Sequence, residues 1–238
     1  MNAKPSNDQP ICGDAFLAAL LPPLKACDAA ALAQAALRRW HPAQICDLLR
    51  HPHVDVRRVA AVTMGMVGNT SHVACLSVAL NDTDKQVSQL AEHSLWSIWF
   101  RSGNSQAVQP FREGLALLAA DNYPQAITQL KQAVAIDPQF AEAFNQLGIA
   151  FYLNNQFDES IKACRCAVRL VPHHFGAISG MGHCFAQLGE LQLALRCYRR
   201  ARRINPRMDG ISDAIDRLQT KIKDMSDSGE FLVDSIMA

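Results

Sequence analysis

The sequence predicts an all-α protein built as an α-solenoid, with pairs of helices stacked side by side along the chain. Three observations carry that prediction. Residues recur every 34 positions through the second half, and a separate 31-residue register runs through the first. Between the recurring positions, apolar residues fall at helical spacing and are separated by short polar turns. Repeats of this length mark supersecondary units that cannot bury their apolar faces singly and so bury them against neighbours.

In the second half, Gly114, Gly148 and Gly182 stand 34 apart, as do Ala133, Ala167 and Ala201, and Pro138, Pro172 and Pro206. Between them lie the columns Ala126, Ser160, Ala194 and Leu130, Cys164, Tyr198. Each unit reads as a helix, a polar turn, a second helix and a closing proline. The turns are Asp121-Asn122, Asn154-Asn155 and Gly189-Glu190. A glycine inside a helix costs on the order of 1 kcal/mol against alanine. Its recurrence therefore implies a close helix–helix approach, expected to face the alanine or serine of the partner helix. The proline ends the second helix by driving its predecessor out of the helical region.

The pattern W-x2-L-G-x2-Y…A…F…A…P is filled by Phe144, Leu147, Gly148, Phe151, Ser160, Cys164, Ala167 and Pro172. The next unit fills it with Ile178, Met181, Gly182, Phe185, Ala194, Tyr198, Ala201 and Pro206. The first unit departs at its start, with Pro110 for the large aromatic and Glu113 for the leucine, so its first helix is expected to begin near Phe111. On these residues, segment 107–208 resembles the tetratricopeptide repeat family. The resemblance implies three repeats, and with the apolar stripe Ile211, Ala214, Ile215, Leu218 and Ile222 as a capping helix they give a domain over 105–224. The tail, 225–238, mixes acids with Phe231, Leu232, Val233, Ile236 and Met237 and is read as flexible or as docking elsewhere.

In the first half, HPHVDVRRVAAVTMGMV (51–67) aligns with DTDKQVSQLAEHSLWSI (82–98). Val56, Ala60, Met64 and Val67 recur as Val87, Ala91, Leu95 and Ile98. Helix-like runs at 42–50 and 71–80 precede them, and two further helices, 14–21 and 28–40, suit a degenerate cap. The run VDVRRVAAVTMGMVGN makes residues 1–104 resemble short HEAT-type repeats, of the kind found in arrays that include bilin-lyase-type proteins. The second copy departs with Gln86 and Ser88 in the places of Asp55 and Arg57. Residues 101–110, RSGNSQAVQP, have the composition of a joint between arrays.

Composition narrows the function. The chain is 49% apolar and 19% charged with a formal net charge of +1, which excludes a disordered or broadly basic chain. No apolar run approaches the roughly 18–20 residues a bilayer span needs. The N-terminal run AFLAALLPPL (15–24) contains Pro22-Pro23 and follows no basic cluster, so a cytoplasmic protein without a secretory leader is expected. The eight cysteines form no C-x-x-C pair, and reduced, buried thiols are expected. No His-Glu-x-x-His or phosphate-binding glycine loop is present. No metal, no cofactor and no catalysis are expected, and His173-His174 is read as a solvated turn.

The resemblance implies instead a concave groove lined by the first helices of successive repeats. The positions carried over are Phe111, Leu115 and Leu118, then Asn145, Ile149 and Tyr152, then Ser179, His183 and Ala186. Phe111 and Leu115 stand where a carboxylate-clamping Lys and Asn would be needed. The groove is therefore expected to take an apolar or amphipathic protein segment, making the chain an adaptor or assembly factor. Two alternatives remain. One is a lyase-like or enzyme-associated use of the front region, with Cys46 or Cys75 as the first thiols to probe. The other is an anionic partner, acidic protein or nucleic acid, on the cluster Arg196, Arg199, Arg200, Arg202, Arg203 and Arg207. The balanced charge and the lack of stacking aromatics there disfavour nucleic acid.

Overall fold

The computed structural model describes residues 10–236, with side chains through residue 227. The described residues are helical and contain no strand, and they divide into two compact units that meet between Ser102 and Gly103.

The first unit contains α1 (Gly13–Lys25), α2 (Ala29–Leu37), α3 (Pro42–Asp47), α4 (Val54–Val67), α5 (Val73–Ala79) and α6 (Lys85–Phe100). Short 3₁₀ turns, Leu48–Arg50 and Thr70–His72, extend α3 and lead into α5. The recurring positions form the seam between α4 and α6. Val56, Ala60, Met64, Val87, Ala91, Leu95 and Ile98 are buried, and Val67 is half-buried. A Cβ on Gly65 would stand 2.5 Å from Ser94 Oγ, so that glycine permits the approach of α6. Ser94 Oγ also donates to the Ala61 carbonyl at 2.8 Å, which satisfies a buried hydroxyl.

Arg57 and Arg58 explain why the second copy lacks their equivalents. Arg57 holds Asp82 through both carboxylate oxygens (2.7 and 3.0 Å), and Arg58 holds Asp84 in the same way (3.1 and 2.8 Å). Asp84 in turn caps α6 by accepting from Val87 N at 2.9 Å. The arginines of one copy thus fix the turn that opens the second helix of the next, and the first unit ends at Ser102, before a further copy.

One expectation is overturned here. Cys46 of α3 and Cys75 of α5 are joined in a disulfide, with Cα atoms 6.0 Å apart, and are not free thiols. Both sit in the helix that precedes a seam helix, and the packing of α3 on α5 brings them together.

The second unit contains α7 (Val108–Ala119), α8 (Tyr123–Ile136), α9 (Ala141–Leu153), α10 (Phe157–Leu170), α11 (Phe175–Gln187), α12 (Leu191–Ile204) and α13 (Ile211–Ile236). Helix α7 starts at Val108 and not near Phe111, because Pro110 falls in the first turn, where its missing N–H has no helical partner to lose. The turn inside each repeat carries one residue of positive φ: Asp121 (55°), Asn155 (58°) and Gly189 (79°). Aspartate, asparagine and glycine are the residues that tolerate this region. Before each closing proline, Asp137, Val171 and Asn205 have left the helix, at ψ of 88°, 92° and 92°.

The glycine column does mark close contacts, but with a different partner from the one expected. A Cβ on Gly114 would lie 2.6 Å from Leu130, on Gly148 2.5 Å from Cys164 Sγ, and on Gly182 2.6 Å from Tyr198. The residue one turn beyond the alanine or serine column fills the space. Ser160 serves another purpose, since its hydroxyl donates to the Gly148 carbonyl at 2.7 Å.

At the far end, Ile211, Ile215 and Leu218 are buried, with Ala214 and Ile222 half-covered, in the same apolar cluster as Leu195, Tyr198 and Ala201 of α12. The backbone of α13 continues to Ile236. The side chains of Phe231, Leu232, Val233 and Ile236, and Met237 altogether, lie outside the described residues. Among the described residues, no helix is long and apolar enough to cross a membrane.

Candidate functional site

The curvature of the second unit follows from which helices touch. Helix α7 contacts α9, and α9 contacts α11, whereas α8, α10 and α12 make no comparable contact with one another. The first helices of the three repeats therefore line the inner, concave side, and the second helices lie outside.

The nine sequence-derived groove residues fall into three columns that the structure separates. Phe111, Asn145 and Ser179 are each only 3% exposed and lie beneath the groove surface. Phe111 packs on Phe140 with ring centroids 4.5 Å apart, and the Asn145 amide donates to Glu142 at 3.1 Å. The column Leu115, Ile149, His183 and the column Leu118, Tyr152, Ala186 reach solvent, with Ile149 and His183 exposed and the others half-buried. Leu153, 40% exposed, extends the apolar surface beyond Ile149.

His183 is the polar centre of this surface. Its ring stands between Tyr152 and Tyr198, with centroids 6.2 and 5.2 Å away. Tyr198 Oη and His183 Nδ1 are 2.7 Å apart, and Ser179 Oγ lies 3.5 Å from Nε2. Burial pushes the Tyr198 phenol far above its ordinary range, and partial desolvation holds the His183 imidazole below its own although the residue as a whole is exposed. The phenol therefore keeps its proton and can donate to Nδ1, in the tautomer that carries its hydrogen on Nε2 beside Ser179 Oγ. The Gln187 amide donates to Tyr152 Oη at 3.4 Å. The groove thus offers four aliphatic side chains, Leu115, Leu118, Ile149 and Ala186, with one phenol ring and one imidazole. Among the described residues, no carboxylate is hydrogen-bonded to His183.

A second polar cluster underlies the groove, and it corrects the reading of His173-His174. His173 is exposed, but His174 is fully buried. His174 Nε2 lies 3.0 Å from Glu142 Oε2, and its Nδ1 accepts from Ala177 N at 3.2 Å as the N-cap of α11. Glu142 also accepts from Asn145 and, at 2.6 Å, from Gln146. This network ties the start of α11 to α9 and holds adjacent groove helices in register. The 34-residue spacing supplied the clue, because it sets His174 in the column of Phe140, which is equally buried.

Among the described residues, no three His, Cys, Asp or Glu side chains gather to hold a metal. Cys164 is buried, and desolvation pushes its thiol up to about 12, far from nucleophilic at neutral pH. The arginines Arg196, Arg199, Arg200 and Arg203 are exposed on α12, away from the groove. In the first unit, a cavity of about 590 Å³ opens beside α4 and α6, lined in part by Val62, Met66, Leu90 and His93. Neither Cys46 nor Cys75 lines it.

One comparison with known proteins falls wholly within the second unit. Residues 114–155, from within α7 to just past α9, match a family model described as TPR repeat. Over 165 residues the chain is 26% identical to the tetratricopeptide repeat domain-containing protein PYG7, chloroplastic, of Arabidopsis thaliana, covering 67% of this chain and 53% of that one. Over 85 residues it is 31% identical to protein bimA of Emericella nidulans, covering 36% of this chain and 10% of that one. The chain thus spans about half the length, or much less, of these relatives. Among solved structures, the Sgt2 TPR domain from Aspergillus fumigatus superposes with a TM-score of 0.50 at 18% identity, over 52% of this chain and 83% of that one. That likeness concerns the fold alone. Segment 114–155 is thus similar to tetratricopeptide repeats, and the glycine, small-residue and proline columns continue the same 34-residue register through Pro206.

Proposed function

We propose that this chain is a non-catalytic adaptor or assembly factor whose concave groove holds a short apolar or amphipathic segment of a partner protein. The observation that carries this reading is the pair of solvent-reaching columns on the inner face, Leu115, Ile149, His183 and Leu118, Tyr152, Ala186. They suit a segment with apolar side chains on one edge and a hydrogen-bond acceptor for His183 Nε2–H. The first unit, read as HEAT-type repeats, offers a second surface along α4 and α6. Its use as a lyase-like catalyst loses its first candidates, because Cys46 and Cys75 are bonded to each other. A cytoplasmic setting is part of the same proposal.

The test uses a labelled library of amphipathic twelve-residue peptides and the full chain. The double variant Leu115→Ala/Tyr152→Ala removes two contact side chains, each contributing about 1.5 kcal/mol when buried by a ligand. Affinity for the selected peptides should fall by about a hundredfold, with melting little changed. Selected peptides that bind the double variant as tightly as the parent place the site elsewhere.

A further inference from the structure

The outer face of the second unit carries a charge that neither the groove nor the fold uses. From Ser160 to Met208 the only acidic residue is Glu190, while the same stretch holds Lys162 and eight arginines. Lys162 is paired with Glu159. Arg165 and Arg169 on α10, and Arg196, Arg199, Arg200, Arg202 and Arg203 on α12, are exposed, and among the described residues none of these seven is paired with a carboxylate. Arg169, Arg202 and Arg203 lie in the last turns of their helices, where a positive charge complements the helix dipole. The dipole does not account for Arg165, Arg196, Arg199 or Arg200, which lie further up.

Helices α10 and α12 are the second helices of adjacent repeats, and both pack on α11. Arg200 of α12 donates to the Pro172 carbonyl at 3.1 Å, just beyond the end of α10, and Arg169 of α10 turns its guanidinium toward Cys166 Sγ at 3.1 Å. Arg165 of α10 acts on the half-buried Cys197 thiol of α12 together with Arg200 and Arg196, so the two helices share one basic face.

We propose that this basic outer face of α10 and α12 binds a short acidic segment of a partner protein, with Arg165, Arg169, Arg196 and Arg200 as the carboxylate-holding forks. One helical turn separates Arg165 from Arg169, and Arg196 from Arg200, about 6 Å along each axis. That step is close to the roughly 6.6 Å between side chains on one edge of an extended chain. Arginine suits the role because its planar fork takes a carboxylate through two bonds. The basic face is also bounded. Asp158 and Glu159 open α10, Glu190 precedes α12, and Asp209 follows Arg207. A long polyanion would have to pass over these acids, whereas a segment of a few residues fits between them. A nucleic acid would further lack a stacking platform, since Tyr198 is only 3% exposed.

The experiment measures fluorescence anisotropy of a labelled octaglutamate peptide, an octaglutamine control and a single-stranded RNA oligomer against the full chain at low and physiological salt. Octaglutamate should bind, octaglutamine should not, and added salt should weaken the complex. Arg196→Gln/Arg200→Gln and, separately, Arg165→Gln/Arg169→Gln should each weaken binding by about tenfold, with unchanged helical circular dichroism. The groove variant Leu115→Ala/Tyr152→Ala should bind octaglutamate like the parent, so the two surfaces are tested independently. Octaglutamate binding that is absent, or that survives both arginine double variants, overturns the proposal, as does tighter binding of the RNA.

Discussion

Gly148→Ala is expected to destabilise the second unit although it improves helix propensity, and Cys164→Ala is expected to relieve that cost. An alanine Cβ at this site would lie 2.5 Å from Cys164 Sγ and 3.4 Å from the Ser160 carbonyl oxygen. Ordinary contact is about 3.5–4.0 Å, so Cys164 must rotate away or α9 and α10 must part by about 1 Å. Cys164 is 1% exposed and has little room to rotate. Overpacking of this kind costs about 1–3 kcal/mol, offset by about 1 kcal/mol of helix propensity, for a net loss of up to about 2 kcal/mol. Cys164→Ala alone leaves a small void and costs about 1 kcal/mol. In the double variant the new Cβ enters the space the sulfur vacated, and the two losses should not add. Urea denaturation of the parent, both single variants and the double variant measures the coupling, expected at about 1–2 kcal/mol in favour of the double. Additivity within about 0.5 kcal/mol would show that the glycine does not serve close approach to Cys164. Gly148→Leu should cost more, because Cys164→Ala frees too little space for it.

Three further outcomes follow from the structure. Non-reducing peptide mapping should recover Cys46 cross-linked to Cys75, and reduction should lower the stability of the first unit by up to about 3–4 kcal/mol, the chain-entropy value for a 29-residue separation; unlinked peptides would contradict the pairing. Alkylation at pH 8 should label the exposed Cys12 and Cys27 quickly and Cys164, whose thiol is pushed up to about 12, only after unfolding. Stability should also respond to acid in two windows. His183 and His72 have folded pKa values below 6.5, each chiefly through burial. The unfolded chain therefore takes up these protons first, and stability present above pH 6.5 declines as pH falls toward the folded values. The Arg58 guanidinium holds the Asp84 carboxyl down at about 2, so its contribution is present above 3.8 and is lost as pH falls toward 2. His183→Gln should flatten the upper window and Arg58→Gln the lower; unchanged profiles would refute the assignments.

The repeat spacing made the helix pairs and their ends legible, because glycine, alanine and proline recur for steric reasons that any alignment of the chain with itself exposes. It did not reveal which residue the glycine meets. The shift from Ser160 to Cys164 is one helical turn, and it depends on how two helices cross, which spacing along one chain does not encode. The groove was legible as a set of positions but not as a surface. Phe111, Asn145 and Ser179 share a column that turns inward, and two of the three are polar enough to read as exposed. His174 was misread for the same reason. Taken alone it is a turn histidine, whereas in register it occupies the buried place of Phe140 and finds Glu142 from the neighbouring repeat. The disulfide had a sequence signature, one cysteine in each helix preceding a seam helix, but spacing alone does not bring α3 beside α5. The Arg57 and Arg58 pairs explain the departure at Gln86 and Ser88: the turns they hold belong to the next copy.

The account rests on the inner face of the second unit as the place where a partner segment binds. Methyl-resolved nuclear magnetic resonance of the full chain, titrated with a peptide selected from the amphipathic library, tests it most directly. The methyl signals of Leu115, Leu118 and Ile149 should shift on binding, while those of Ile127 and Ile161, buried on α8 and α10, stay in place. Shifts confined to α4 and α6 of the first unit, with Leu115, Leu118 and Ile149 unmoved, would contradict it.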